Sequence, residues 1–460
     1  MIMACGDSYD GMDIYTDVES RFKSLLSQST QIHQGPPKTF LLNTVEVTLD
    51  DFGEVRRWTF GERNQSKTRT IMMMGETGTG KSTLINVMVN YILGVEYKDD
   101  IWFEIIKEEE KSQTESQTTA VTVYEIYGNE GVRVPFSLRL IDTPGYTDTA
   151  GRKQDEQIAK NIRKLFEAER GAHQIDAVCF VVKASQNRLT DTQVYIFDAI
   201  LALFGKDIEK NIMALITFSD GGKPGALAAI AKAGVPCSRN KKNQPIYFKF
   251  NNVPRKINDE SGDHDENEGD DENYLQGNWE KGVKTMQNFF KSLENMETRS
   301  LQMTKEVLME RDQLEMSIQS LEYQITAAEN LQKMLKQSQD ALQKHKEDIA
   351  ANKDFERVTK KFQKLKDNYE RESGEKATEE NMEKTLQEQL KNVLSDKKAL
   401  VDESYQHIIS LSKIALRPDS RSNLQHFDFL LERLKEIGTA EQIQKIEDIK
   451  RRAAEVNKLK

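Results

Sequence analysis

Cysteine and long apolar runs are scarce in this sequence of 460 residues. The cysteines, Cys5, Cys179 and Cys237, have neither metal-site nor disulfide spacing, which indicates a reducing compartment. The amino-terminal segment lacks a basic stretch followed by an apolar one, so we expect no signal peptide. The longest apolar run, near residues 177–182, is too short to span a bilayer. We therefore expect a cytoplasmic protein with no transmembrane segment.

Basic residues are also fewer than acidic ones. The chain has 65 Lys and Arg against 75 Asp and Glu, a formal net charge of −10. This acidity argues against nucleic acid as the main partner. Charged residues make up 30% of the chain and apolar ones 37%, which fits one ordinary core and a large solvated part. The length allows two or three domains.

The strongest motif that is present is IMMMGETGTGKST at residues 71–83. It matches the phosphate loop of nucleotide-binding proteins, with an apolar strand before it and an apolar helix after it. Such a loop turns backbone N–H groups around a polyphosphate, and the helix dipole adds positive potential. We predict that Lys81 is a catalytic group that reaches the β- and γ-phosphates, and that Ser82 ligates Mg²⁺. The predicted nucleotide-binding residues of the loop are Gly75, Glu76, Thr77, Gly78, Thr79, Gly80, Lys81, Ser82 and Thr83.

Two further segments complete the predicted phosphate and metal site. Asp142-Thr143-Pro144-Gly145 follows an apolar strand at 138–141. We expect Asp142 to hold the Mg²⁺ shell and the Gly145 N–H to bond the γ-phosphate, so that the next loop acts as a switch. A threonine should also reach Mg²⁺ as a catalytic and metal-binding group; Thr118 is the first choice and Thr119 the second. An ATPase of the Walker B type would more often have Glu where Thr143 stands, which favours a GTPase.

The base is predicted to be read by Thr217-Phe218-Ser219-Asp220, which follows the apolar strand 212–216. The Asp220 carboxylate can accept hydrogen bonds from N1–H and N2–H₂ of guanine, and adenine has neither donor. The usual motif has lysine where Phe218 stands. Another strand ends in Asn251 and Asn252, which we expect at the edge of the base. Together with Thr217 and Asp220, these amides predict a site for GTP or GDP with Mg²⁺.

These motifs together resemble the GIMAP type of immunity-associated GTPases, within the group that includes septins and chloroplast-import GTPases. The resemblance covers about residues 70–253 and rests on GETGTGKST, IDTPG, CFVVKASQNRLTDTQVYIFDAILALFG and KFNN. It implies GTP-loaded domains that pair face to face across the nucleotide, and therefore a homodimer or higher homo-oligomer. Tyr146 stands where many small GTPases carry a water-aligning glutamine, so we expect slow hydrolysis by the isolated chain.

Alternating strands and helices predict an α/β P-loop GTPase domain, with a mainly parallel sheet and helices on both faces. An all-α coiled-coil or helical region should follow. We place a lead-in with a β-hairpin at 1–66 and the GTP-binding domain at 67–295, with a disordered acidic loop at 257–273. A metal-binding loop is the alternative for that acidic segment. A coiled coil at 296–372 and a helical return with a C-terminal helical piece at 373–460 complete the chain.

The coiled coil is indicated by apolar residues at every seventh position, namely Leu314, Leu321, Ala328, Leu335, Leu342 and Ile349. Three arrangements are open: a parallel dimer, a hairpin with the return helix near 382–401, and a solvated single helix. The coil also offers a surface for protein partners. The predicted function is a slow GTPase that acts as a nucleotide-dependent dimerising switch with a stalk. The alternatives are a septin-like scaffold that polymerises on GTP and an ATP-using machine with a coiled-coil arm.

Overall fold

The structure is a computed structural model of the chain. It describes residues 10–49, 53–63, 66–106, 120–127, 132–146, 152–186, 191–219, 222–239, 245–251, 268–350, 363–364, 367, 371, 379–418 and 421–458. The chain folds into two compact units. Unit 1 comprises Met1–Leu308, Ile414–Ser420 and Val456–Lys460, and unit 2 comprises Met309–Lys413 and Arg421–Glu455.

Unit 1 is an α/β fold. Its strands are β1 (Ser29–His33), β2 (Lys38–Leu42), β3 (Val45–Thr48), β4 (Val55–Phe60), β5 (Thr68–Gly75), β6 (Ile101–Glu104), β7 (Val121–Ile126), β8 (Ser137–Asp142), β9 (Gln174–Ile175), β10 (Ala177–Lys183), β11 (Ile212–Thr217), β12 (Tyr247–Lys249) and β13 (Arg299–Ser300). Its helices are α1 (Asp10–Ser27), α2 (Lys81–Ile92), α3 (Arg152–Glu167), α4 (Asp191–Ala202), α5 (Ala226–Lys232) and α6 (Glu268–Glu294). Short 3₁₀ turns lie at Tyr97–Asp99 and Lys206–Asn211.

The main sheet has the strand order β12-β11-β10-β5-β8-β7-β4-β3. Its neighbours are parallel except for the β7–β8 and β3–β4 pairs. This confirms the prediction of a mainly parallel sheet. The predicted hairpin is the β3–β4 pair, and its second strand joins the main sheet because β4 pairs in parallel with β7. A smaller sheet has the order β1-β2-β6.

Both faces of the main sheet are buried, which explains why its central strands are continuous apolar runs. Ile71 and Met73 of β5 point into a core layer that includes side chains of α1, α2 and α6. Met72 and Met74 point into the opposite layer, which includes side chains of α3, α4 and α5. The helices therefore lie on both faces, as predicted.

Helix α6 begins at Glu268, inside the acidic segment 257–273; residues 257–267 lie outside the described residues. Its carboxyl end is fixed to the sheet by Arg69, which is 4% exposed. The Arg69 guanidinium donates to the carbonyls of Glu294 and Met296 and pairs with Asp176. The Asp176 carboxylate also accepts from the Thr70 amide (2.7 Å) and the Thr298 hydroxyl (2.7 Å), so the buried negative charge is hydrogen-bonded on both oxygens, as a buried charge requires. The ion pair ties the end of α6 to the start of β5.

Unit 2 is helical. It contains most of α7 (Gln302–Ala350) and α8 (Glu379–Ile414), together with α9 (Arg421–Ile437) and most of α10 (Ala440–Lys458). Leu314, Leu321 and Ala328 of the heptad column are 0–6% exposed within the single chain. Glu310 on α7 accepts hydrogen bonds from His407 (2.7 Å) and Ser410 (2.8 Å) on α8. The first half of the column is thus covered within the single chain, and the start of α7 is hydrogen-bonded to α8.

The predicted turn at 373–374 lies outside the described residues. Among the helices that the structure describes, none is long and apolar enough to cross a bilayer.

Candidate functional site

The phosphate loop lies at the carboxyl end of the central strand β5 and leads directly into α2. Gly75 is required there, because a Cβ atom would lie 2.4 Å from the carbonyl oxygen of Val181 on β10. Gly80 caps α2 with a φ of 81° and offers no side chain to the first helical turn, which also lacks an acidic residue. The positive end of the α2 dipole therefore lies at the loop, where it favours an anion.

Lys81 is folded back over this loop. Its side chain is buried (7% exposed), and Nζ donates to the carbonyl oxygens of Gly75 (3.1 Å) and Glu76 (3.0 Å). Burial lowers the pKa of Lys81 to about 8, against the opposing effect of the Asp142 and Glu76 charges. The loop thus holds an ammonium group that pays a desolvation cost, and a bound phosphate would offset that cost.

Ser82 and Asp142 come together as predicted for a metal site. Ser82 Oγ donates to Asp142 Oδ2 over 3.2 Å, and Asp142 is 1% exposed at the end of β8. The Thr143 hydroxyl donates to the carbonyl of Met73 (2.8 Å), which fixes the end of β8 beside β5. A hydroxyl next to a buried carboxylate is the kind of oxygen donor set that Mg²⁺ takes, so these residues fit the ion.

The predicted threonines, Thr118 and Thr119, lie outside the described residues. Their assignment to the metal therefore stays a prediction.

The segment after Asp142 packs on the phosphate loop. A Cβ atom on Gly145 would lie 2.4 Å from Thr77 Oγ1, so this approach also requires glycine. The Thr77 amide donates to the Tyr146 carbonyl (3.1 Å), and the Tyr146 amide donates to the Gly75 carbonyl (3.2 Å). The predicted switch segment is therefore hydrogen-bonded to the phosphate loop.

The side chain of Tyr146 points away from this site into the core. It is 1% exposed and lies in the apolar layer with Ile158 and Ile162 of α3. Burial raises its pKa well above the ordinary value, with smaller effects from Asp155 and Tyr195. Tyr146 therefore offers no group to orient water at a phosphate.

The predicted base-reading segment meets the phosphate loop through Thr217 at the end of β11. Its hydroxyl donates to the carbonyl of Thr79 over 2.7 Å. The Ser219 amide donates to the Phe250 carbonyl (3.1 Å), which brings the ends of β11 and β12 together beside Asn251. Asp220 and Asn252 lie outside the described residues.

Phe218 of the predicted base-reading segment forms a pair at the same edge with Lys183, a residue that was not predicted to belong to the site. Phe218 is 58% exposed, and Lys183 Nζ lies 6.0 Å from the centre of its ring, within cation–π range. Lys183 Nζ also lies 3.7 Å from the position of a Cβ on Gly78. Lys183 is the last residue of β10. In the sequence, a basic residue directly after a buried apolar run would have indicated it.

The strand, loop and helix order, with its buried lysine, defines an α/β domain of the phosphate-loop type. Residues 69–237 match the AIG1 family and form an AIG1 family domain. This match confirms the resemblance to immunity-associated and chloroplast-import GTPases. It includes the phosphate loop, Asp142 and Thr217, whereas Asn251 lies beyond it. No curated protein matches the chain.

Similar solved structures include three of Toc33 from Arabidopsis thaliana. A dimerization-deficient mutant is 14% identical, with 60% of this chain and 93% of that chain covered and a TM-score of 0.29. The complex with Mg²⁺ and GMPPNP is 17% identical, with 48% and 86% covered and a TM-score of 0.28. The complex with GDP and Mg²⁺ is 17% identical, with 48% and 85% covered and a TM-score of 0.29.

Proposed function

We propose that the AIG1 domain binds GTP and GDP with Mg²⁺, and that it hydrolyses GTP slowly on its own. The observation that carries this proposal is the cluster of Lys81, Ser82 and Asp142 at the loop between β5 and α2. Lys81 and the first amides of α2 supply the positive charge that a triphosphate requires. When bound, the metal would neutralise charge that develops on the phosphates.

The remaining residues are assigned roles within this proposal. Ser82 and Asp142 hold Mg²⁺, and Thr118, or Thr119 in its place, completes the metal and γ-phosphate contacts. The base is read by Asp220, with Thr217 positioning that segment against the loop. Asn251 and Asn252 contact the edge of the base. The free, buried thiols of Cys179 and Cys237 support a cytoplasmic location, because they fit a reducing compartment.

Slow hydrolysis follows from Tyr146, because its buried side chain leaves the position after Gly145 without a group that orients water. We therefore propose that the GTP state associates with a second copy across the nucleotide face, and that this contact tunes hydrolysis. The helices of unit 2 would then act as an arm for other protein partners. This role falls to the exposed faces of these helices, because Leu314 and Leu321 are already covered by the chain itself.

The test is size-exclusion chromatography with light scattering on the full chain, empty, with GDP and with a non-hydrolysable GTP analogue. We expect a dimer with the analogue and a monomer with GDP. A monomer in all three states would contradict the switch, and filaments with GTP would favour the scaffold. Competition binding of GTP against ATP is measured alongside, and equal affinity for the two would contradict the guanine assignment.

A further inference from the structure

A second polar site lies on the main sheet at the edge opposite the phosphate loop. On the face that carries α3, three neighbouring strands change from apolar to polar at the same level. On β5, β8 and β7 in turn, these changes are Met72 to Thr70, Ile141 to Arg139 and Val123 to Glu125. In the sheet register Arg139 pairs with both Thr70 and Glu125, so the row is continuous across these strands. On the next strand, β4, Arg57 follows Val55 on the same face and pairs with Val123, two residues from the level of Glu125. Helix α3 ends at Glu167, and a cavity of about 810 Å³ lies over the row.

Positive charge dominates this cavity, although the chain as a whole is acidic. Four arginines line it, Arg57, Arg63, Arg139 and Arg170, against the two carboxylates of Glu125 and Glu169. Glu125 is already satisfied, because Arg139 Nε and Tyr127 Oη each donate to it over 2.6 Å. The lining therefore has more guanidinium groups than its own carboxylates can pair.

Several of these guanidinium donors remain unused in the part of the chain that the structure describes. Arg57 donates one N–H to the carbonyl of Arg170 (3.1 Å) and lies 4.0 Å from Glu125, while its Nε is buried and makes no hydrogen bond there. Arg63 and Arg170 are exposed at the mouth, and their side chains make no hydrogen bond or ion pair with the other described residues. Guanidinium is the group best suited to bind phosphate oxygens in pairs.

We propose that this pocket binds a small molecule that carries two or more phosphate groups. The arginines lie at two levels: Arg57 and Arg139 are on the strands, and Arg63 and Arg170 are on the loops at the mouth. One phosphate can therefore bind at each level. The cavity volume falls in the range of small-molecule sites. The pocket is separate from the phosphate loop, because Thr70 and Gly75 lie five residues apart on β5, about 16 Å along the strand.

The test uses the full chain and isothermal titration with inositol hexakisphosphate. Wild type and Lys81→Ala should bind it equally, because the phosphate loop is not involved. The double variant Arg63→Gln, Arg170→Gln should bind at least about tenfold more weakly, since each change removes a charge-assisted contact. Glu169→Gln should bind more tightly. Lys232→Gln, which removes one positive charge from an exposed site on α5, is the control for the loss of a positive charge outside the pocket and should bind as wild type does.

A second arm identifies the source of the phosphates. Phosphatidylcholine vesicles with and without phosphatidylinositol bisphosphate are sedimented with wild type and with the double variant. Saturable binding to either probe that depends on Arg63 and Arg170 supports the pocket, and the vesicle result assigns a lipid headgroup as its source. Absence of binding to both probes overturns the proposal. So does binding that the double variant retains or that Lys81→Ala abolishes.

Discussion

Ser82 Oγ lies 3.2 Å from Asp142 Oδ2, although the two residues belong to different elements and lie 60 positions apart in the sequence. The parallel pairing of β5 with β8 brings them together, because it places Met73 beside Asp142. This contact is the geometric basis for the first prediction.

Ser82→Ala should weaken Mg²⁺-dependent tightening of GTP binding by about 10–100-fold, the usual loss when a metal-site partner is removed. Lys81→Ala should weaken nucleotide binding both with and without Mg²⁺. Calorimetry with Mg²⁺ and with chelator separates the two effects. Ser27→Ala removes an exposed hydroxyl on α1 and serves as the control. Normal Mg²⁺ dependence in Ser82→Ala would refute the metal assignment.

Nucleotide affinity should fall as the pH rises above about 8, because burial lowers the pKa of Lys81 to about 8 and phosphate binding requires the ammonium form. The expected loss is about tenfold per pH unit in the range between the pKa values of the free and bound states. Binding at pH 9 should take up a proton, which titrations in two buffers of different ionisation enthalpy would measure. Lys81→Arg keeps its charge in this range and should remove the pH dependence. A flat profile in wild type would show that Lys81 stays protonated.

Stability should change with pH in the opposite direction. The folded-state pKa of Lys81 lies below its ordinary value, so between about pH 8 and 10.5 the unfolded chain binds more protons than the folded chain. The contribution of Lys81 to the free energy of unfolding therefore rises with pH in this window and is absent in Lys81→Ala. Denaturant melts of the empty protein at several pH values would measure it.

Tyr146→Phe should raise the free energy of unfolding by about 1 kcal/mol, because the buried Tyr146 hydroxyl makes no hydrogen bond to the other described residues. GTP hydrolysis should not change. Tyr146→Gln should destabilise the fold, since it puts an amide into the apolar layer beside Ile162, and it should not restore fast hydrolysis. A stable Tyr146→Gln with faster turnover would place this side chain at the nucleotide. Thermal melts and phosphate release provide the two readouts.

The fold could be predicted from the sequence where one local rule decides the outcome. The run Ile71–Met74 is apolar on both faces because layers of helices cover both, and glycine spacing marks the loop that follows. Lys183 could not be predicted, because only the pairing of Val181 with Gly75 brings its strand end to the loop. The start of α6 at Glu268 was missed because an acidic run is compatible with both a loop and a solvated helix.

Asp220→Asn should shift the preference from guanine toward xanthine, because it replaces one hydrogen-bond acceptor with a donor. Asp220 itself lies outside the described residues, and the motivation is Thr217, whose hydroxyl ties the segment before it to the phosphate loop. Competition with GTP, XTP and ATP measures the shift. Ser219→Ala, a change beside Asp220 that leaves the carboxylate in place, is the control and should keep guanine selectivity. A wild type that binds ATP as tightly as GTP would exclude the assignment.

Leu321→Lys with Leu335→Lys should unfold part of the helical unit in the monomer, since Leu321 is fully buried within its own chain. Burying an unpaired ammonium is costly, so we expect a loss of several kcal/mol and of helical signal. Tyr323→Lys places a lysine two residues away on α7, where the side chain is 72% exposed, and should leave the stability and the helical signal unchanged.

Circular dichroism and sedimentation measure helicity and oligomer size together. A double variant that stays fully helical while its oligomer becomes smaller would mean that the seam faces a second copy. Nucleotide affinity should be unaffected in all three proteins, because Leu321 belongs to unit 2 and the phosphate loop to unit 1.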